Sequence, residues 1–301
     1  MTHTAAALPA HRSWTGPLMV LAGGVGIGFA PIGLRLGLDE LGPQAIAFWR
    51  YAFALPVLLA LVFLIQRRPP QRPNRFILLA GTFFAVDIAL WHHALTMTTV
   101  SNATFIVNLG NVLVGFGAWF FLKQRPHTLW FIAAAIAIAG AGALSLGGGA
   151  GGKGDIHGDL FAFGAAIMVG SYMLCSNVAR RTLGGIEAIF WLTLVELVVA
   201  GAIIAITGER FLPETLAGFR APLFLAFVAQ IGGQALIVAG LGRTSAAVAG
   251  LLVLIQPVVA AAVSWRLFDE PLTGIQSSGA LLILFAVWLA QRGRKPRVAV
   301  D

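Results

Sequence analysis

Ten apolar runs, each about as long as a membrane is thick, constrain this chain more than any other feature. A hydrocarbon core of about 30 Å takes roughly 20 helical residues to cross. Runs of that length lie at 16–37, 43–66, 75–97, 100–122, 127–146, 158–180, 186–207, 219–240, 245–268 and 273–291. Lipid offers no hydrogen bonds, so each run has to satisfy its backbone internally, as a helix does. Charged residues make up 11% of the sequence and hydrophobic ones 58%, with a mean hydropathy of +0.86. A soluble domain carries about 25% charged residues. The chain cannot coat a water-facing surface, and the fold class it implies is an all-α membrane protein. Runs three and four meet at Thr98-Thr99. One helix of that combined length would far overshoot the hydrocarbon, so two antiparallel helices are expected.

Charge sets the expected orientation. The net charge of +8 and pI near 11 would suggest nucleic acid in a soluble protein, but here the basic residues cluster between the runs. With the N-terminus in the cytoplasm, the inner segments hold 14 Lys and Arg, among them Arg67, Arg68, Arg72, Arg180, Arg181 and Arg243. The outer segments hold 5: Arg35, Lys153, Arg210, Arg220 and Arg266. This asymmetry agrees with the positive-inside rule, with both termini cytoplasmic and a bacterial inner membrane as the expected location. His11 and Arg12 ahead of the first run resemble a signal peptide, but the run is longer than a signal's apolar region and reads as an uncleaved first helix.

The one long interior link is glycine-rich, spans 147–157 and falls at the midpoint. It divides the chain into 1–146 and 158–301, five runs each. Aligning Arg125-Pro126 with Glu270-Pro271 gives an offset of 145 that also pairs Asn111 with Gln256. An odd number of helices per half forces opposite orientations. The expected architecture is two inverted five-helix repeats, a plan that places a substrate site near the midplane between them.

Several stretches carry a family likeness. They are Phe48-Trp49-Arg50-Tyr51, Asp87-Ile88-Ala89-Leu90-Trp91-His92-His93, Val100-Ser101-Asn102-Ala103-Thr104, Gln256-Pro257-Val258 and Leu267-Phe268-Asp269-Glu270-Pro271. In these the chain resembles the drug/metabolite transporter superfamily of the EamA type. It departs where the first half has Asn111-Val112 and Lys123-Gln124-Arg125-Pro126 in place of the expected proline and acidic-Pro turn. The resemblance implies ten helices in an inverted repeat, alternating access and export of metabolites, closest to the branch that handles neutral and aromatic amino acids.

Ionisable groups inside a membrane face a cavity or a partner. Arg50, Asp87 and Glu196 are the three within spans that stand out. Arg50 and Asp87 fall at similar depth on sequential helices, so they read either as an ion pair or as a pair from which Asp87 contacts substrate or binds protons. Glu196 has no evident partner at its depth and is a second proton-coupling candidate. Asp87 and Trp91 share a helix face. His92 and His93 diverge, so at most one faces a central cavity, as a substrate contact or an interhelical bridge. Asn102, Asn108 and Asn111 put three amides in one span, and Asn108 with Asn111 share a face. Tyr172 and Ser176 in the sixth span, Gln230 and Gln234 in the eighth, and Gln256 in the ninth complete the candidate binding set. Amides, hydroxyls and aromatics with one available cation favour neutral or zwitterionic solutes over phosphates. Trp14, Trp130 and Trp288 are expected at lipid interfaces, Gly24, Gly26 and Gly28 at close helix contacts, and Cys175 as a small buried residue.

Other chemistries lack support. Gly147 to Lys153 imitates a phosphate-binding loop, but Gly154 stands where Ser or Thr is needed. Gly152-Lys153-Gly154-Asp155 imitates a protease motif outside any span, and Asn102-Ala103-Thr104 is a sequon inside one. No metal site, cofactor or nucleic-acid partner is called for, and no hydrolase motif occurs. The expected function is a secondary transporter, with the bilayer and a small molecule as partners, acting as monomer or homodimer. Alternatives are export of nucleobases or hydrophobic drugs, a passive channel, or a membrane-embedded enzyme.

Overall fold

The computed structural model describes residues 14–98, 100–146, 155–269 and 272–292. The linker at 147–154, Thr99, Glu270-Pro271, both termini and the side chains of Val100, Ser101, Asn102 and Leu146 lie outside the described residues. Every apolar run is helical, and among the described residues there is no strand. The ten spans are Thr15–Gly37, Pro43–Gln66, Arg75–Met97, Val100–Leu122, Thr128–Leu146, Ile156–Ala179, Gly185–Thr207, Leu216–Leu241, Ala246–Phe268 and Gly274–Arg292. Below, the inner and outer faces are named by the charge distribution, with span 1 starting at the inner face.

Two spans expected to be continuous are broken. Span 1 runs as Thr15–Ile27 and Ala30–Gly37, interrupted at Gly28-Phe29 ahead of Pro31. Span 9 runs as Ala246–Leu252 and Ile255–Phe268, interrupted at Val253-Leu254 ahead of Pro257. Proline lacks the N–H that would continue the helical ladder, so the break falls in the turn before it. A third irregularity is in span 8, where Ala226–Gln234 is wound as a π-helix.

The helix pairing follows a two-fold plan. Span 3 packs on span 6 as span 8 does on span 1, span 4 packs on span 6 as span 9 does on span 1, and spans 2 with 7 and 5 with 10 pair across the two halves. Backbone details obey the same exchange. Spans 2 and 7 each start after an extended glycine, Gly42 and Gly184, and each ends on a left-handed residue, Arg67 and Gly208. Spans 4 and 9 likewise end on left-handed Lys123 and Asp269. Those two stand 146 residues apart, as do the starts of the helices that follow, Thr128 and Gly274, one more than the offset read from the prolines.

Small residues make the contacts, because helices in lipid gain mainly from close backbone approach. A Cβ added at Gly140 would stand 2.8 Å from the Gly279 carbonyl oxygen, and one at Gly279 2.6 Å from that of Gly140. Gly26 is held as tightly by Gly233, and Gly28 by Val259 and the Gln256 carbonyl. Trp130 corrects an interfacial expectation. It is fully buried, lies against Gly115, and donates Nε1–H to the Ala247 carbonyl at 2.8 Å, joining span 5 to span 9. Trp14 and Trp288 are about half exposed, as an interfacial position requires. Cys175 is only partly buried.

The span 2–7 pair is fastened at both faces by matching contacts. On the outer side Trp49 Nε1 donates to the Phe211 carbonyl at 2.8 Å, and Gln44 N to Glu209 Oε2 at 2.9 Å. On the inner side Trp191 Nε1 donates to the Gln71 carbonyl at 2.7 Å, and Gln71 N to Glu187 Oε1 at 3.0 Å. Each loop that leaves one helix of the pair thus grips the start of the other.

Replacing Gly279 by Val forces spans 5 and 10 apart. It is expected to cost about 1–3 kcal/mol, as overpacking does. The measure is the thermal midpoint of the detergent-purified protein, with Gly274→Ala, whose Cβ meets nothing within 4 Å, as the unperturbed comparison. An unchanged midpoint for Gly279→Val would contradict the reciprocal packing.

Candidate functional site

A buried polar network sits where spans 2, 7 and 8 meet. Arg50 donates from Nε to Gln230 Oε1 at 2.9 Å and from Nη2 to Gln234 Oε1 at 3.3 Å. The other ends of those amides point at one carboxylate. Gln230 Nε2 donates to Glu196 Oε2 at 2.7 Å, and Gln234 Nε2 to Glu196 Oε1 at 2.6 Å. Gln230 Nε2 also reaches Thr193 Oγ1 at 2.7 Å. The orientation of both amides is forced, for a reversed one would set oxygen against carboxylate and NH₂ against guanidinium. Each amide is polarised from both sides, which strengthens its bonds in a low-dielectric interior. A cation and an anion are therefore joined through two amide dipoles without touching.

The local winding makes this possible. In the π-segment the Ala235 N–H bonds to the Gln230 carbonyl, five residues back. A wider turn brings residues four apart closer to eclipse than an α-helix does, so Gln230 and Gln234 stack along one face. Such π-turns recur at functional sites. Glu196 and Thr193, three apart on span 7, share the facing side. Glu196, Gln230 and Thr193 are wholly buried, and Gln234 and Arg50 nearly so.

Arg50 therefore does not pair with Asp87, one of the two expected readings. Among the described residues no cation pairs with Asp87. It is buried on span 3, and its Oδ1 accepts no hydrogen bond. Glu196, which the sequence left without a partner, accepts from two, Gln230 and Gln234. Sequence inspection missed Thr193 and Gln44, although a polar residue three before Glu196 was a readable signal.

The remaining candidates divide by span. His92 Nδ1 meets Gln44 Nε2 at 3.0 Å, a bridge from span 3 to the start of span 2. Its neighbour His93 is exposed and meets the edge of Phe161. Trp91 packs against a small buried cluster of Ala94, Ala103 and Ala162, from spans 3, 4 and 6. Tyr172 and Ser176 are buried, and neither hydroxyl has a hydrogen-bond partner. Asn177, next to them, donates to the carbonyls of Leu241 and Thr244 and ties span 6 to the end of span 8.

Spans 4 and 9 converge on the inner side and part at mid-depth. The Asn111 carbonyl presses on Gly250, and span 4 packs along Ala246–Leu252. Past the break, Ile255–Phe268 packs instead on spans 1 and 10, and Ile255 is its sole buried residue. Asn111, Asn108 and Gln256 lie at this parting. Asn108 Nδ2 donates to the Thr104 carbonyl at 2.9 Å, Asn111 Nδ2 reaches Asn108 Oδ1 at 3.4 Å, and Gln256 is partly exposed. The break in span 1 reaches the same place, with Gly28 against the Gln256 carbonyl. Among the described residues no group of three His, Cys, Asp or Glu is placed to hold a metal ion.

A model of the EamA-like transporter family matches residues 14–146 and again residues 156–291. The chain belongs to this family. Each match covers five spans, and membrane transport is the activity class that membership carries. Among 29 solved chains of matching fold, one described only as the crystal structure of a protein is 16% identical to this EamA-like transporter. The alignment covers 92% of this chain and 96% of that one, with a TM-score of 0.78. At such identity the likeness is one of fold. No curated protein gives a significant match.

Removing one member of a buried charge pair leaves the other uncompensated, which typically costs about 3–5 kcal/mol. Glu196→Leu is expected to lose stability on that scale, and Arg50→Met likewise. The double variant should recover most of the loss, giving a coupling of at least about 1 kcal/mol in a denaturation cycle. Strict additivity would mean that the glutamines do not transmit the interaction.

Proposed function

We propose that this transporter exports neutral or aromatic amino acids and related small metabolites by alternating access, moving them out of the cytoplasm across a bacterial inner membrane. The observation that carries this reading is the parting of spans 4 and 9 at mid-depth, beside two broken helices and three side-chain amides. Broken helices expose backbone groups that bind solute where they line a cavity. Asn108, Asn111 and Gln256 supply both donors and acceptors there, a set that suits a small polar molecule with an apolar remainder.

The state of Arg50 supports a substrate without a phosphate. Recognition of phosphate or a sugar nucleotide takes several free cationic donors. Arg50 is engaged with Gln230 and Gln234, and Glu196 offsets its charge. The pattern of fastening supports the mode of movement. Spans 2 and 7 are tied at both faces at once and form a fixed unit, whereas the outer part of span 9 has few buried contacts. Rocking of spans 4 and 9, with their neighbours, about the span 2–7 pair would open the site to one side at a time. The protein needs no catalytic residues for this, and no nucleophile converges with a base in the network.

Uptake into proteoliposomes is the direct measure. Labelled neutral amino acids should accumulate saturably and be displaced by unlabelled competitors. Asn108→Ala and Gln256→Ala are each expected to raise KM about 2–10-fold, the value of one neutral hydrogen bond. Uptake that grows linearly with concentration in both variants would mean a passive pore. Failure to carry any amino acid would remove the substrate class.

A further inference from the structure

Asp87 is a carboxylate that the Arg50–Glu196 network does not use. It is 5% exposed in the middle of span 3, and Oδ1 accepts no hydrogen bond. Two phenols flank it. Tyr172 lies against Phe84, one turn before Asp87, with ring centroids 4.8 Å apart. Tyr51 belongs, with Ala47 and Ala200, to a small buried cluster against which Ile88, the residue after Asp87, packs. Neither buried hydroxyl makes a hydrogen bond of good geometry, that of Tyr172 lying near Gln234, and both rings lie within electrostatic range of Asp87 as well as of Glu196 and Arg50. The site therefore holds an acceptor and two hydroxyls that do not satisfy one another.

We propose that Asp87, with Tyr51 and Tyr172, receives an ammonium group, so that the transported molecules carry a protonated amine. This rests on the transporter reading above and names the chemistry its substrates share. An ammonium has three N–H donors and no acceptor, and it matches a carboxylate oxygen and two phenolic oxygens. Aromatic faces add attraction for a cation. The balance of charge selects the same class. Arg50 and Glu196 offset each other, so Asp87 is the carboxylate left for a cation to neutralise. A carboxylate-bearing solute without an amine would meet repulsion in a low-dielectric site. The amine is then the group that admits a solute, and its carboxylate, where present, lies toward the amides of spans 4 and 9.

The test is thermal unfolding of the purified full-length protein in detergent. The probes are butylamine, hexylamine and phenethylamine as hydrochlorides, set against the sodium salts of pentanoate, heptanoate and 3-phenylpropionate. Binding to the folded state raises the midpoint with ligand concentration. At least one amine is expected to raise it in a saturable manner, and its matching carboxylate is not. Asp87→Asn is expected to abolish the shift while unfolding near the wild-type midpoint, since the amide keeps the shape of the side chain. Tyr172→Phe keeps the ring and is expected to weaken the amine several-fold, and it supplies the test if Asp87→Asn does not fold. An amine shift that persists unchanged in these variants, equal shifts from the carboxylates, or no shift from any amine would each overturn the proposal. The readout needs no transport. Saturable amino-acid uptake without an amine shift overturns the ammonium site alone, and an amine shift without amino-acid uptake overturns the amino-acid reading alone.

Discussion

Hydrocarbon cannot solvate a charge or a free N–H, and the interior of this protein is arranged around that fact. Arg50 and Glu196 sit at mid-membrane on different helices, and neither would be tolerated there alone. Two glutamines carry the compensation between them, and the π-wound segment of span 8 exists in the geometry that lets both amides face the same way. The close approach of span 8 to span 1 through Gly233 and Gly26 then follows, for the helix carrying the glutamines has to be seated firmly. Direct contact of guanidinium and carboxylate would have required less. The bridged form instead ties three spans, two from the second half and one from the first, into one unit.

Around that unit the two halves are alike in backbone and unlike in packing. Equivalent spans share their glycine starts and left-handed ends, and the same helix pairs form under exchange of halves. The breaks do not exchange. Spans 1 and 9 are interrupted, whereas their counterparts, spans 6 and 4, are continuous. An inverted repeat with identical halves would be closed or open equally on both faces. Here the continuous pair packs closely along its length, and the broken pair leaves the outer part of span 9 with a single buried residue.

The loops contribute more than connection. Trp49 and Trp191 occupy matching places and each donates to a carbonyl in the loop of the opposite half. The carboxylates of Glu209 and Glu187 accept from backbone N–H groups of the opposite half, those of Gln44 and Gln71. On the outer face Glu40 accepts from the Thr215 side chain and backbone, which holds its carboxyl below the ordinary value of 4.5. These contacts lie in the interfacial layer, where water competes and single bonds count for little, but their repetition on both faces fixes the span 2–7 pair as the frame.

Length, apolarity and charge placement were enough to determine ten helices, their order and the opposed halves, because lipid imposes those terms on any sequence that enters it. Pro31 and Pro257 stand just past the two breaks, but Pro56 lies inside an unbroken span 2, so proline alone does not tell which span breaks. The small residues at Gly26 and Gly28 were legible as contact points. The partners of the buried polar groups were not legible. Arg50 and Asp87 shared a depth and looked paired, yet a side chain chooses among all helices at that depth, and Gln230 and Gln234 lie some 180 residues away in sequence. Trp130 near a helix end looked interfacial, but burial depends on which helix stands beside it. Periodicity and composition are properties of one segment. Which amide meets which charge, and where two helices part, are decided by how segments pack, and only the tertiary structure holds that information.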